Sequence, residues 1–364
     1  FAKGFYHYYL NHTKEGKVAL DYLHNRGMSD ETIAKFGIGL APSYSDALVK
    51  TLANNRYSLD VAMKLGLLNE HNGQYYDRFK SRIMFPIFDK IGHVVGFSGR
   101  VFLEGDTHLG KYVNSPESPI FQKGKLIYHL NDAKLAIRRH NRVLLFEGFL
   151  DVISAVEAGF VESVATMGTA LTEDHSRELR RLTDQIILCF DGDKAGLAAA
   201  NKAIPILMAQ NFSVSVVEIP NKMDPDEFIK THGKEAFSKL IDQAIPAVDY
   251  QYRYIKRQFN LEFVSHREQF KRQIYHFAYT LQSHTLQELI LKKLAYDISI
   301  GEQSILQEFN SSKSQVYKNA NINNNKNENL QIHSRQVRDT KYERSEKMLI
   351  HYMLKERRVA LQVE

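Results

Sequence analysis

Hydrophobic and polar positions follow several different rhythms along this chain. Over residues 1–36 apolar residues return at three and four, the period of a helix with one buried face. Val18, Ala19, Tyr22 and Leu23 make one such stripe, and Gly27 closes it. Ser29 stands as the N-cap of a second, shorter helix starting at Asp30. Residues 36–55 read as a strand, a turn and a helix, and 59–68 as another short helix. IMFPIF (83–88) and HVVGFSGRVF (93–102) are strand-like, and Asp89 to Gly92 supply the turn of a hairpin between them. KYVNSPESPIFQKG (111–124) has two prolines and no period, which predicts a long loop of the kind that usually serves a site.

From residue 143 the rhythm changes. Short apolar runs rich in Val, Ile and Leu open the stretches at 143, 161, 185 and 214, with turn or acidic residues after the runs and helix-like segments between them. That alternation predicts a parallel sheet wrapped by helices. Residues 235–309 repeat Tyr, Phe and Leu at three and four and predict a helical bundle; YQYRYIKRQF (250–259) reads as a packed helix face. NANINNNKNEN, within 310–336, cannot build a core and reads as a flexible linker. A helical pattern returns from Ser345. The expected fold class is α/β, α+β overall. A mixed α/β lobe spans 1–130, the parallel-sheet domain 131–240, the bundle 241–309, the linker 310–336, and the start of a further region 337–364.

In parallel sheets wrapped by helices, function sits beyond the C-terminal ends of the strands. Those ends carry Glu147 and Asp151, Asp191 and Asp193, Asp224 and Asp226. A helix starting at the Gly148 turn puts Asp151 in its first turn. Asp191 and Asp193 share a side if extended, and Asp193 suits the N-cap of a helix over 194–209. Pro225 holds Asp224 extended. Three acidic pairs therefore converge on one edge, where they repel and raise one another's pKa. A hard cation, Mg²⁺ or Mn²⁺, relieves that repulsion. Plain helix caps and solvated loop charge are the other use of these residue types.

Charge is unevenly spread. The formal net charge of +6 over 364 residues divides into +7 for residues 1–142, −6 for 143–240 and +5 for 241–364. A basic lobe beside an acidic one suits a polyanion running towards a metal site. Arg78, Lys80, Arg82, Arg100, Lys111, Lys123 and Lys125 gather in and around the hairpin, interleaved with Phe79, Phe97, Tyr112 and Phe121. Basic residues hold phosphates and aromatics stack on unpaired bases, although Phe79 and Phe97 read as core. GxxxxGK[ST] occurs nowhere, which argues against Walker-type ATP hydrolysis. Cys189, the only cysteine, lies in a buried-looking strand, so there is no disulfide framework and the context is reducing. There is no Cys/His zinc pattern, no run of membrane-spanning length and no signal peptide. The opening Phe1 suggests a piece of a longer protein. Gly168, in MGT (167–169), reads either as a close approach to a ligand or as a simple turn. His175, which follows TED at a helix start, reads as a solvent-facing histidine.

The motifs resemble a known family. EGFLDV (147–152), DGDKAG (191–196) and DPDEF (224–228) are similar to the acidic motifs of the Toprim fold, shared by type IA and type II topoisomerases, some nucleases and bacterial primases. RFKSRIMFPIFDKIGHVVGFSGRVF (78–102), KYVNSPESPIFQKGKLIYHL (111–130) and MGTALTEDH (167–175) resemble the RNA polymerase region of DnaG-type bacterial primases. The resemblance covers most of residues 1–300, with several motifs in order.

It implies a Toprim-type sheet and DNA-templated synthesis of RNA primers from nucleoside triphosphates, dependent on Mg²⁺ with Mn²⁺ as a substitute. Asp191, Asp193 and Asp226 stand first as metal ligands, with Asp151 and Asp224 in support, and Asp191 and Asp193 count as catalytic. Glu147 acts as general acid/base or as a further ligand. Arg100, Lys111, Asn114 and Lys123 line the path of template or nucleotide. The implied partners are single-stranded DNA, nucleoside triphosphates, the replicative helicase through the C-terminal region, and guanosine tetra- or pentaphosphate as a competing inhibitor. No membrane is implied, and the location is the bacterial cytoplasm at the replication fork. The family's zinc-binding domain is not in this chain, so synthesis should be weak and poorly start-site-selective without it. Two other readings remain. One is a Toprim nuclease or topoisomerase, although none of the 19 tyrosines sits in a diagnostic context. The other is a non-catalytic module that binds single-stranded DNA or docks a helicase.

Overall fold

A computed structural model describes residues 1–103 and 110–312. Most of the expected linker and the whole of the region 337–364 lie outside those residues. The described residues divide into two compact units, the first ending at Tyr254 and the second beginning at Ile255.

The first unit opens with three helices, α1 (Ala2–His12), α2 (Lys14–Asn25) and α3 (Asp30–Phe36). Thr13 caps α2 and Ser29 caps α3. The buried stripe of α2 is Gly16, Ala19 and Leu23. Val18 is exposed instead of buried, because it sits one position off that stripe. β1 (Gly39–Ala41), α4 (Ala47–Asn54) and α5 (Leu59–Lys64) follow. A small hairpin comes next, β2 (Leu68–His71) with β3 (Gln74–Asp77). The larger hairpin is β4 (Arg82–Phe88) with β5 (Val94–Val101). The segment read as a loop contributes one short strand, β6 (Tyr112–Asn114). These build an antiparallel sheet in the order β1-β4-β5-β6.

α6 (Leu130–His140) leads into the second sheet. Its elements are β7 (Val143–Phe146), α7 (Phe149–Glu157), β8 (Ser163–Ala165), α8 (Glu173–Arg180), β9 (Gln185–Leu188), α9 (Lys194–Ala209) and β10 (Ser213–Val216). Then come α10 (Pro225–Asp242), interrupted at Gly233, β11 (Ile245–Pro246) and α11 (Ala247–Lys256). Strand order is β11-β10-β9-β7-β8; β10, β9, β7 and β8 run parallel and β11 is an antiparallel edge.

Strand alternation sends Val143 and Leu145 to one face of this sheet and Leu144 and Phe146 to the other. The first face packs with Ala133 and Ile137 of α6, Leu179 of α8, and Ile204 and Leu207 of α9. The second packs with Val152 and Ile153 of α7 and Phe228 and Phe237 of α10. That second core continues without a break into Ile83, Phe85 and Ile87 of β4 and Leu10 and Leu23 of α1 and α2. A shared apolar core of this kind fixes the antiparallel sheet against the parallel one, each fully buried large side chain contributing about 1.5–3 kcal/mol. Phe79, Phe97 and Phe121 belong to the core and only Tyr112 of the four interleaved aromatics is exposed. Cys189 is free and fully buried.

Tyr250 packs with the parallel sheet, so the helical segment expected from residue 241 parts from the sheet only after Tyr254. The second unit contains α12 (Val264–Thr280), α13 (His284–Ile298) and a helix over 302–312. Lys271 is buried there against Glu268 and Glu308. Among the described residues no helix is long and apolar enough to cross a membrane.

Candidate active site

The chain runs from β7 outward to β8, then returns across the sheet to β9 and on to β10. Neighbouring β7 and β9 thus mark the point where strand order reverses, and in open parallel sheets the crevice beyond the strand ends at that point is where ligands bind. A cleft of about 410 Å³ lies there. Glu147 follows β7 directly and Asp191 follows β9 by three residues. Both line the cleft, as do Asp151 from the first turn of α7 and Asp224 and Asp226 from the start of α10. The opposite wall comes from the antiparallel lobe and is basic: Arg100 on β5, Lys111 and Asn114 at β6, and Arg26 at the end of α2.

Local backbone explains the acidic edge. Gly192 allows the 191–193 turn to pass under another strand end, since a Cβ there would stand 2.5 Å from the Ile219 carbonyl oxygen. Gly196 does the same for α9 against the Asp191 carbonyl, at 2.2 Å. Asp193 caps α9, its Oδ1 accepting from the Ala195 and Gly196 N–H groups at 2.8 Å each. It is exposed and is not among the residues lining the cleft. Asp224 caps α10 by accepting from the Glu227 N–H at 2.6 Å. Asp151 Oδ1 accepts from the Asp226 N–H at 3.2 Å. Asp226 is the most compensated of the set: Arg26 Nη2 donates to it at 3.0 Å, Lys230 pairs with it and the Ser154 hydroxyl donates to it.

The remaining carboxylates hold unrelieved charge. Burial, and then the charges of Asp191 and Asp193, push Glu147 up to about 7. Burial and the charges of Asp224 and Asp193 push Asp191 up to about 6. Burial and Asp191 raise Asp151 well above the usual carboxylate range. Glu147 Oε1 is buried without a hydrogen-bond partner. A positive charge placed among these groups would lower their energy, and an all-oxygen donor set suits a hard divalent ion. These residues therefore fit a metal. Among the described residues no three His, Cys, Asp or Glu side chains are gathered closely enough to hold one as they stand.

The basic wall is sorted by contact. Arg100 is buried, donates to the Tyr112 hydroxyl at 2.5 Å and lies over its ring at 5.2 Å. Its Nε, the Asn114 Oδ1 and the Arg26 Nε are buried without partners, which leaves polar capacity at the cleft for a ligand. Arg82, grouped with these residues in sequence, is buried and donates to the carbonyls of Gly99 and Gly110 at 3.1 Å each. Its local role is to tie strand ends together. Arg78 donates to Asn69 at 3.3 Å and Lys80 is exposed; neither lines the cleft. Lys125 lines a separate cavity bordered by Asp89, Lys90 and Arg177. Lys123 sits in the 123–125 turn, its N–H donating to Glu117 at 3.1 Å. His175 is fully buried, not solvent-facing, because the 123–125 turn packs over it. Gly168 lines the cleft at a φ of 69°, with Asn114 beside it.

Arg26, Ser154 and Lys230 escape a sequence reading. Arg26 lies in no motif and reaches Asp226 across 200 positions. The spacing of Lys230 four residues after Asp226 on one helix is the one signal that could have flagged it.

Comparison with known proteins identifies the two lobes separately. Residues 5–134 match the DNA primase catalytic core, N-terminal domain, and residues 144–229 match a Toprim-like family. A solved DnaG primase catalytic domain bound to single-stranded DNA is 33% identical, with a TM-score of 0.72 over 83% of this chain and 95% of its own. The chain belongs to the DnaG primase catalytic-core family. A primase domain from Pseudomonas aeruginosa is similar at 33% identity and a TM-score of 0.73, covering 84% of this chain and 96% of that domain. The DNA primase of Geobacillus stearothermophilus is 40% identical over all of this chain. The chain spans 60% of that protein's length and about half that of other curated relatives. A Toprim primase core is generally metal-dependent, in keeping with the donor set at the acidic edge.

Proposed function

We propose that this primase core synthesises short RNA primers on single-stranded DNA, joining nucleoside triphosphates by nucleotidyl transfer. The observation that carries this is the single cleft in which an acidic edge faces Arg26, Arg100, Lys111 and Asn114. Glu147, Asp151 and Asp191, with Asp224, are the residues to hold Mg²⁺, for which Mn²⁺ can substitute; the ion supplies charge neutralisation for the triphosphate and its leaving group. Asp193 and Asp226 complete the ligand set, Asp193 also fixing the start of α9 and Asp226 also holding Arg26.

The rest of the work falls to the chain itself. Arg100 and Lys111 grip phosphates of template or nucleotide, with Lys123, Lys125, Arg78 and Lys80 extending the basic face. Tyr112 and Phe149, whose rings meet at 5.8 Å, give the cleft an aromatic side on which a base can stack. Glu147, whose Oε1 is buried without a hydrogen-bond partner, faces the reacting atoms either as a further ligand or as the acceptor of the 3′-hydroxyl proton. The two lobes thereby divide the labour: residues 1–130 hold nucleic acid and residues 131–240 carry the chemistry. In the whole protein the C-terminal region engages the replicative helicase in the bacterial cytoplasm, and guanosine tetra- or pentaphosphate competes with triphosphates for the same cleft.

The test is incubation with a single-stranded template, labelled triphosphates and Mg²⁺. Labelled RNA is the expected product. Nicked DNA with no RNA would favour a Toprim nuclease or topoisomerase, and DNA binding with no metal binding would favour a non-catalytic module.

A further inference from the structure

The LTEDH segment (171–175) enters none of the chemistry above, yet it is tightly built. Thr172 caps α8, its hydroxyl oxygen accepting from the His175 N–H at 3.1 Å. The Thr172 N–H donates back to His175 Nδ1 at 3.2 Å. This is a capping box with histidine in the place usually held by Glu or Gln. Because Nδ1 accepts, the ring proton sits on Nε2, and Nε2–H donates to the Lys123 carbonyl at 3.0 Å. The Thr172 hydroxyl donates to the next carbonyl, Gly124, at 2.7 Å. Two side chains of one helix cap thus hold two successive carbonyls of a turn about fifty residues earlier in the chain.

The geometry assigns His175 as a positioning residue for Lys123. The inference rests on the proposed use of Lys123 in gripping nucleic acid. Lys123 is fixed by its backbone on both sides, through its N–H to Glu117 and its carbonyl to His175. The clamp joins the 123–125 turn to the start of α8. His175 is fully buried and within hydrogen-bond reach of both sides of the joint, so no solvent can replace its bonds without the turn moving.

A double-mutant cycle on the whole chain decides the matter. Single-stranded DNA binding is measured at low salt for wild type, K123A, H175A and the K123A/H175A pair, with H175Q as the conservative variant. K123A should weaken binding about three- to tenfold, with a flatter salt dependence. H175A should weaken it about two- to fivefold, and the pair should bind no worse than K123A alone, because His175 acts through Lys123. The glutamine amide can donate to the Lys123 carbonyl and accept from Thr172, so H175Q should stay within about twofold of wild type. Full additivity of the two alanine variants, or wild-type binding by H175A, overturns the inference. Wild-type binding by K123A overturns it as well, while the primer-synthesis reading stands or falls on labelled RNA made by the wild type. Should H175A fail to fold, H175N, whose shorter amide can still accept from the Thr172 N–H but does not reach the Lys123 carbonyl, takes its place in the same cycle with the same criteria.

Discussion

Loading the acidic edge with a divalent cation should expel protons, and the number should depend on pH. Glu147 is pushed up to about 7 and Asp191 to about 6, by burial first and by neighbouring carboxylates second. At pH 6 Glu147 is then about 0.9 protonated and Asp191 about half, so binding that ionises both releases ~1.4 protons from this pair, whose titrations are shared across the cluster. At pH 8 the same pair supplies about 0.1. Affinity for the ion should accordingly rise roughly 20-fold between pH 6 and pH 8. Asp151, raised well above its ordinary range, adds to both figures.

The sign for stability is opposite to that of an ordinary salt-bridged carboxylate. A raised folded pKa leaves stability fully present below the unfolded value and removes it as pH rises through about 7, unless a cation is bound. For Glu147 this amounts to at most about 3 kcal/mol at 1.36 kcal/mol per unit, and about half of that because solvent reaches its open side. Calorimetric titration with Mn²⁺ in two buffers of different ionisation heat, at pH 6, 7 and 8, counts the protons. Glu147→Gln should remove about 0.9 of them at pH 6. Release that does not vary with pH, or a Glu147→Gln variant that releases as many as the wild type, would refute the reasoning.

Other perturbations separate the parts of the site. Lys111→Ala and Arg100→Ala should each flatten the log–log salt dependence of single-stranded DNA binding by about 0.7 and leave metal binding in the absence of DNA intact; calorimetry and a salt series check both. Gly192→Ala places a Cβ 2.5 Å from the Ile219 carbonyl oxygen, so the 191–193 turn must shift, and Mn²⁺ affinity should fall at least tenfold while far-ultraviolet circular dichroism stays unchanged. Burial holds the pKa of His175 below its ordinary 6.5. A base with a depressed folded pKa is fully stabilising above 6.5 and loses that contribution as pH falls below it. The drop in thermal midpoint from pH 7 to pH 5 should therefore be larger for the wild type than for His175→Gln.

What the sequence displays, and what it hides, follows from the range of the interactions involved. Asp193 could be placed at the cap of 194–209 because an N-cap acts on its own next three residues, and that helix is Lys194–Ala209. The runs beginning at 143, 185 and 214 become β7, β9 and β10 because short runs rich in Val, Ile and Leu fit a pleated strand packed by helices. Phe121 and Tyr112 lie in the same stretch and look alike in sequence. Phe121 is core because Gly96 leaves it space, a built Cβ there standing 2.8 Å from its ring, whereas Tyr112 faces the cleft. Arg82 next to a strand looks like a wet basic face, yet two carbonyls absorb its guanidinium. His175 amid acidic residues looks solvated, yet a turn 52 positions away buries it. Arg26 had no local signature at all, since its meaning comes from Asp226 at the other end of the unit.

The central claim is that the acidic edge performs chemistry while the basic wall holds the strand, and Asp191→Asn tests it most directly. The substitution keeps the shape of the side chain and removes one negative charge from the cleft. Primer synthesis and single-stranded DNA affinity are measured on the same preparation, beside the wild type. The account predicts synthesis lower by about a hundredfold or more, because phosphoryl transfer depends on positioned charge, with affinity within about twofold of wild type or slightly tighter. Loss of DNA binding by Asp191→Asn, with synthesis per bound template intact, would contradict it.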